Sequence, residues 1–259
     1  MTRTSWLALA LIATTLVAAI ATDYTHSIRR IRAEVASGST QVDTRHGPVE
    51  VAVHGDGPFI IVLHGAGGGQ NQGKLIAQMF LPVGFPTIAV SRFGYLRSPL
   101  PTDATPHAQA EALADVLNAL GADHAAILAM SGGVPPALQF AALYPARTDA
   151  LVLLSSAPFT PLTAASQDLP MPAWDCQALF GTDSPIWAVL HLAPTLLDPI
   201  FDVTPALRAK LTPEEADDVA KHIGGFLPVT ARTTGLANEG AAIDPSERTL
   251  SRYAAAAPF

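Results

Sequence analysis

Four short apolar runs, separated by stretches with helical periodicity, constrain the fold of this chain more than any other feature. Continuous apolar runs of this length are typical of central strands in a parallel sheet, because such strands are covered on both faces. Residues 107–120 show the helical pattern, with leucine and valine side chains on one stripe. The alternation predicts an α/β fold with a doubly wound, mainly parallel sheet. The four runs are Phe59–Leu63, Thr87–Val90, Ala125–Leu128 and Leu151–Leu154.

Composition bounds the partners that this chain can have. Its 259 residues are enough for one large domain with a substantial core. The net charge is −7 and the chain has no basic tract, so we expect no nucleic-acid partner. Cys176 is the only cysteine, which excludes an internal disulfide and a cysteine metal cluster. We expect no metal and no cofactor.

The N-terminal segment 6–22 is apolar and carries no charge. It is close to the length of about 17 to 20 apolar residues that a membrane span needs, so an uncleaved anchor is one interpretation. A secretory signal is another, because Ala19-Ile20-Ala21 fits a small-x-small cleavage site, and a buried N-terminal helix is a third. Three arginines follow the segment, at positions 29, 30 and 32, whereas only Arg3 precedes it. This difference favours keeping the side that follows the segment in the cytoplasm.

The pattern of apolar and polar residues changes at about residue 158. Strand-like runs end there, prolines recur and helical patterns dominate. Thr212–Glu215 is a capping box that opens one of these helices. We interpret residues 158–240 as a helical lid over the carboxyl ends of the strands. The predicted organisation is a signal peptide or anchor at 1–22, a stalk at 23–40 that is helical to Ala36, an α/β core at 41–157, the lid at 158–240 and a C-terminal segment at 241–259.

Ser131 follows the third apolar run and precedes a helical pattern. A serine on a tight strand-to-helix turn, flanked by tiny residues, is the arrangement of a nucleophile elbow. The neighbours must be small because the backbone of such a turn is strained and closely approached. We predict Ser131 as a catalytic nucleophile and the backbone N–H of Gly132 as a donor to the oxyanion. An ordinary turn serine is the alternative.

The glycine-rich stretch His64–Gly69 follows the first apolar run. A sharp glycine-rich turn at this place directs backbone N–H groups toward a developing oxyanion. We therefore predict that Gly65 and Ala66 form an oxyanion loop, and that His64 is structural and bonds the loop backbone. A phosphate-binding loop is the alternative, although the GxGxxG spacing is imperfect and no acidic residue follows the next strand in the dinucleotide-binding manner.

Residues 59–156 resemble the α/β-hydrolase superfamily, in its lidded esterase- and lipase-like branch. The resemblance rests on the His64-Gly65 loop, the Ser91–Ser98 loop, the elbow around Ser131 and the Tyr144–Arg147 segment. It implies an α/β-hydrolase fold and a serine-dependent hydrolysis of carboxylic esters or related acyl substrates. A cofactor-free haloperoxidase or a C–C bond hydrolase would share these features.

The resemblance also shows what this sequence lacks. The family's acid and histidine normally follow the seventh and eighth strands, and neither strand is recognisable here. His191 and His222, both in the lid, are the only histidines after Ser131. We therefore expect a hydrolase that is truncated before its last two strands, with Leu151–Leu154 at an open sheet edge. The rival interpretation is a non-catalytic, membrane-tethered α/β module that binds a ligand.

Side chains of the lid indicate the class of substrate. Phe180, Trp187, Leu190 and Leu196 make the lid apolar, which favours a small-molecule ester or acyl substrate with an apolar chain. The acidic residues of the lid are interpreted as loop and cap residues. They are Asp168, Asp175 and Asp183.

Overall fold

A computed structural model of the protein describes residues 3–155, 180–201 and 203–242. Its sheet has six strands in the order β1-β2-β4-β3-β5-β6, of which the last four are parallel to one another. The four predicted apolar runs all lie in this parallel part, so the predicted fold class is confirmed. The strands are β1 (Thr40–Thr44), β2 (Gly47–His54), β3 (Phe59–Leu63), β4 (Thr87–Val90), β5 (Ala125–Met130) and β6 (Thr148–Leu154).

Helices cover both faces of the sheet and also form the described part of residues 158–240, the predicted lid, which is called the lid below. Helix α3 begins with a proline after Thr105, whose side chain accepts a hydrogen bond from the N–H of Ala108. The capping box predicted at Thr212 and Glu215 is present at the start of α7. The helices are α1 (Arg3–Ala36), α2 (Gln70–Phe80), α3 (Pro106–Ala119), α4 (Val134–Leu143), α5 (Ser184–Leu192), α6 (Pro205–Arg208), α7 (Pro213–Gly224) and α8 (Thr233–Ala242).

The sequence pattern did not indicate β1, which pairs antiparallel with β2. This strand is mostly polar and its side chains are largely exposed, so it lacks the apolar run by which the other strands were recognised. Strand β2 is also antiparallel to its other neighbour, β4. The sheet is therefore parallel where the site residues lie and antiparallel at the opposite edge.

Apolar side chains fill both faces of the sheet. The larger cluster lies between the sheet and the helices α3 and α4, and includes Ile61, Ile127 and Phe140. The smaller one lies on the other face with α2, and includes Val62 and Ile76. Successive side chains of a strand thus pack against helices on opposite faces of the sheet, as expected for strands that are apolar throughout. This packing fixes the ends of the parallel strands relative to one another.

Strand β6 is the outermost strand of the sheet within residues 3–155, 180–201 and 203–242. Val152 in this strand is 49% exposed. The apolar edge expected at Leu151–Leu154 is thus present in the part of the chain that the structure describes. Most of the predicted C-terminal segment 241–259 lies outside the described residues, as do Asp168 and Asp175.

Helix α1 joins the predicted apolar segment and the predicted stalk in one continuous element. Its N-terminal half is exposed, and the helix is long and apolar enough to cross a membrane, a property that anchors and signal sequences share. Its C-terminal half ends at Ala36, as the sequence predicted, and packs on the lid through the buried Ile28. The stalk is therefore attached to the lid along its side.

Candidate active site

Ser131 lies directly after β5, in a single 3₁₀ turn that leads into α4. Its φ angle is +47°, in the left-handed region that side chains other than glycine rarely adopt. This conformation costs about 1 to 2 kcal/mol for a residue with a Cβ. A backbone conformation with this cost persists only where the surrounding contacts impose it.

Two glycines bring this turn into contact with the end of β3. A Cβ at Gly133 would lie 2.8 Å from the carbonyl oxygens of Leu63 and His64, so only glycine fits there. A Cβ at Gly65 would lie 3.3 Å from the Cβ of Ser131. The structure therefore brings the predicted nucleophile and the predicted oxyanion loop together at the carboxyl edge of the parallel strands.

His64 is fully buried and both of its ring nitrogens are engaged with the backbone. Its Nδ1 lies 2.6 Å from the carbonyl oxygen of Gly65, and its Nε2 lies 3.1 Å from the backbone N of Arg92. Because the Arg92 N–H must donate, Nε2 accepts and the proton is on Nδ1. Burial, together with the nearby charge of Arg92, lowers the pKa of His64 well below its usual value. The ring is thus neutral and has no free nitrogen for a substrate.

The side chain of Arg92 also binds the backbone of the glycine loop. Its Nε donates to the carbonyl oxygen of His64 and its terminal nitrogen to that of Gly65, both at 3.0 Å. In a trans peptide the C=O and N–H groups point in opposite directions. Fixing these two carbonyls toward Arg92 therefore directs the N–H groups of Gly65 and Ala66 away from it.

A buried network fixes the loop that carries Arg92. Glu50 in β2 accepts hydrogen bonds from the Ser91 hydroxyl at 2.8 Å and from Nε of Arg97 at 2.7 Å. The Ser91 oxygen in turn accepts from the backbone N–H of Gln70, which begins α2. The carboxylate is fully buried, so its partners are needed to offset its desolvation. The Ser91–Ser98 loop is thereby held rigidly beside the glycine loop.

The described part of the lid contacts the glycine loop directly. The ring of Phe226 lies over Gly67, where an added Cβ would come within 1.8 Å of it. Arg232 is fully buried and donates to the carbonyl oxygens of Gly68 and Gly225. Burial lowers the pKa of Arg232 to about 10, so the guanidinium remains charged at neutral pH. One buried cation thus connects the lid to the loop beside Ser131.

Helix α8 brings to the site a carboxylate that the sequence analysis did not predict. Glu239 forms an ion pair with Arg92, and its Oε1 lies 3.1 Å from the position that a Cβ on Gly132 would occupy. The helix approaches this closely because Gly235 packs on Gly94, with a hydrogen bond of 3.0 Å from its N–H to the Gly94 carbonyl. No periodicity or motif in the sequence could have placed Glu239 here.

The rings of the two lid histidines contact aromatic side chains of the lid. The ring of His191 stacks on Trp187 with centroids 4.4 Å apart, and its Nδ1 lies 2.8 Å from the Trp187 carbonyl oxygen. His222 packs edge-on against Phe201, and burial lowers its pKa. Within the described ranges, no group of three or more histidine, cysteine, aspartate or glutamate side chains is arranged to hold a metal ion.

Comparison with known proteins locates this architecture in one family. The alpha/beta hydrolase fold family profile matches residues 58–193. An alpha/beta hydrolase fold protein from Nakamurella multipartita is 28% identical in sequence and superposes with a TM-score of 0.61, covering 79% of this chain and 74% of that one. No curated protein matches the chain at a significant level.

Two further solved structures share the fold at lower identity. An epoxide hydrolase from an endophytic Streptomyces is 24% identical with a TM-score of 0.53, over 80% of this chain and 73% of that one. A thermophilic esterase from Thermogutta terrifontis is 22% identical with a TM-score of 0.51, over 82% of this chain and 74% of that one. At these identities the likeness is one of fold alone.

Proposed function

Because the chain belongs to the α/β-hydrolase fold family, we propose that it is a serine hydrolase acting on carboxylic esters or related acyl substrates. The observation that supports this most is the left-handed backbone of Ser131 at the turn between β5 and α4, in contact with Gly65. A non-glycine residue in such a conformation is characteristic of functional sites, where surrounding contacts impose the strain. An esterase is among the proteins that share the fold.

In the proposed reaction the hydroxyl oxygen of Ser131 attacks the ester carbonyl carbon. The acyl group becomes bonded to Ser131, the alcohol leaves with a proton, and water then releases the acid. The N–H groups of Ala66 and Gly132 stabilise the oxyanion, in the geometry that Arg92 supports by holding the loop carbonyls. The serine proton needs an acceptor, and we assign no acid or base among the described residues.

The proposed substrate is a small apolar ester or acyl compound. The lid cluster that covers the glycine loop is built from apolar side chains, among them Trp187, Phe226 and Leu227. Such a surface favours an acyl or alkyl chain over a charged group. We further propose that residues 6–22 attach the protein to a membrane, since this part of α1 is apolar and exposed.

A non-catalytic, membrane-tethered binding module is the second candidate, and one observation favours it. The Glu239 carboxylate lies beside Gly132, whose N–H is the proposed oxyanion donor. A negative charge at this place would oppose a developing oxyanion. In that function the same cleft would bind a ligand without cleaving it.

Hydrolysis of p-nitrophenyl esters of increasing chain length tests the proposal. We expect activity that rises with acyl length, and a loss in kcat/KM of at least about 10³-fold in Ser131→Ala. Ser155→Ala is the matched control, because Ser155 directly follows the neighbouring strand β6 with a φ of +48° and is more exposed than Ser131. Absence of hydrolysis by folded protein that still binds an acyl compound would instead support the binding module.

A further inference from the structure

Two side-chain contacts join α1 to the start of α5, and their order along the two helices is opposite. Asp183, just before α5, contacts Arg32 of α1 at 2.7 Å. One turn further along α5, the ring of Trp187 meets Tyr24 edge-on with centroids 5.4 Å apart. Contact thus moves toward the N-terminus of α1 as α5 proceeds, and the buried Ile28 lies between these two contacts. The C-terminal end of α5 therefore points toward the apolar half of α1.

An ion pair between the half-exposed Arg32 and the buried Asp183 keeps α5 in this direction. The side chain of Asp183 is 2% exposed, and one of its oxygens also accepts a hydrogen bond of 2.9 Å from the backbone N–H of Thr230. Arg32 additionally donates to the Thr230 hydroxyl at 2.9 Å. The sequence interpretation of Asp183 as a cap residue is incomplete, because its side chain makes no capping bond to α5. It connects α1, α5 and the Thr230 segment.

The end of α5 presents an exposed apolar surface. Residues 185–197 contain no aspartate, glutamate, lysine or arginine. Leu192 is 85% exposed and Leu196 is 68% exposed, whereas the neighbouring Leu197 is buried in the lid cluster. Two leucines projecting from one uncharged turn are unfavourable in water and are typical of a surface that contacts an apolar partner.

Helix geometry places this surface at the level of the apolar segment. Leu192 follows Trp187 by five residues, which corresponds to about 7.5 Å along a helix. On α1, the partner Tyr24 lies only about 3 Å beyond residue 22, where the apolar segment ends. The tyrosine and tryptophan contact would then lie at the membrane–water boundary, where these two residue types are enriched.

We propose that the turn Leu192–Leu196 enters the interfacial region of the same lipid bilayer that holds α1. This inference rests on the proposed membrane attachment, and it adds that the lid itself is a membrane-contacting surface. The apolar cluster that includes Trp187 also includes Phe226, which covers Gly67 beside the proposed nucleophile. Substrates of the site are accordingly amphiphilic esters that partition into the membrane and reach the lid from the bilayer.

Depth-dependent fluorescence quenching tests this arrangement in the full chain. Cys176→Ser removes the only cysteine, and Leu192→Cys then accepts an environment-sensitive fluorophore. The protein is reconstituted into phosphatidylcholine vesicles with spin labels at a shallow acyl position. Leu11→Cys, in α1, reports the anchor, and Leu138→Cys is the matched control because it is 40% exposed on α4 of the core. We expect at least about threefold more quenching at position 192 than at 138, and protection of 192 from aqueous iodide.

The outcomes separate this inference from the membrane attachment. Quenching at position 11 without quenching at 192 would overturn the lid inference and leave the anchor intact. Absence of quenching at position 11 would overturn both. Fluorophore self-quenching at 192 at low protein density would assign the surface to a second copy of the chain and also overturn the inference. Circular dichroism of each labelled variant verifies that it is folded before these values are compared.

Discussion

The interactions that stabilise the core differ from those that attach the lid to it. The core, residues 40–155, has two apolar clusters, one on each face of its sheet, and its four parallel strands were recognisable from their apolar runs. The described lid has one apolar cluster, which is smaller than the main cluster of the core. Its attachment to the core depends on a few buried or partly buried charged groups such as Arg232 and Glu239. Apolar periodicity thus determines the core, whereas individual polar contacts determine where the lid lies. Elements with fewer apolar contacts open at lower free energy, so we expect the lid to be the less stable region.

The largest effect expected from this difference is at a glycine of the core. Gly133→Ala would place a Cβ within 2.8 Å of two backbone carbonyl oxygens, which cannot move without displacing β3. We expect a loss of about 3 kcal/mol in the free energy of unfolding. The matched lid variant is Gly224→Ala, where nothing lies within 4 Å of the new Cβ and where alanine stabilises helix α7 by about 0.5 kcal/mol. Urea unfolding in mild detergent measures both, and equal effects would contradict the tight contact at Gly133.

A smaller effect is expected at the buried arginine of the lid. Arg232→Met removes the donor from the carbonyl oxygens of Gly68 and Phe226, and we expect a loss of about 2 kcal/mol in the free energy of unfolding. Arg147→Met is the control in the core, because Arg147 also donates to carbonyl oxygens but is partly exposed. Water can replace its bonds, so its loss should stay below about 1 kcal/mol. A result in which Arg147→Met is the more damaging change would show that Arg232 does not hold the lid.

The smallest effect concerns pH. Burial lowers the pKa of His222, so the unfolded chain takes up a proton more readily than the folded lid as pH falls below about 6.5. The free energy of unfolding therefore falls as pH falls below that value, and His222→Gln should reduce the difference between pH 7.5 and 5.5 by at most about 1.4 kcal/mol.

His124 in the core provides the contrast of opposite sign. Its hydrogen bond to the Asp149 carboxylate raises its pKa, so this pair stabilises the folded protein at low pH and less as pH rises through the folded value. His124→Gln should therefore make the protein more sensitive to acid. Urea unfolding at both pH values measures these slopes. Each substitution changes the dependence of the free energy of unfolding on pH relative to the unmodified protein. If the two changes had the same sign, the pKa direction given for one of the two histidines would be wrong.

Much of the fold could be predicted from the sequence because it depends on local patterns. Apolar runs identified β3 to β6, and the helical pattern at 107–120 located α3 to within one residue at each end. The strand β1 was missed because it is polar and exposed. A pattern of burial can reveal only those elements that are buried.

The site could be predicted only in part, for a related reason. Ser131 and the glycine loop were identified because their small neighbours follow strands directly, and local sequence reports this arrangement. Arg92, Arg232 and Glu239 act through contacts that join distant parts of the chain, and no spacing in the sequence encodes such a meeting. Gly235 lets α8 approach the core closely, and this role could be recognised only from its contact with Gly94 in the structure.

Covalent labelling by a fluorophosphonate tests most directly whether the bend after β5 carries a reactive hydroxyl. The full chain is incubated with the probe in mild detergent, and intact mass with peptide mapping identifies the modified residue. We expect one adduct on Ser131, which is absent from Ser131→Ala and retained in Ser155→Ala. Folded protein that acquires no adduct, or that acquires one at another serine, would contradict this expectation.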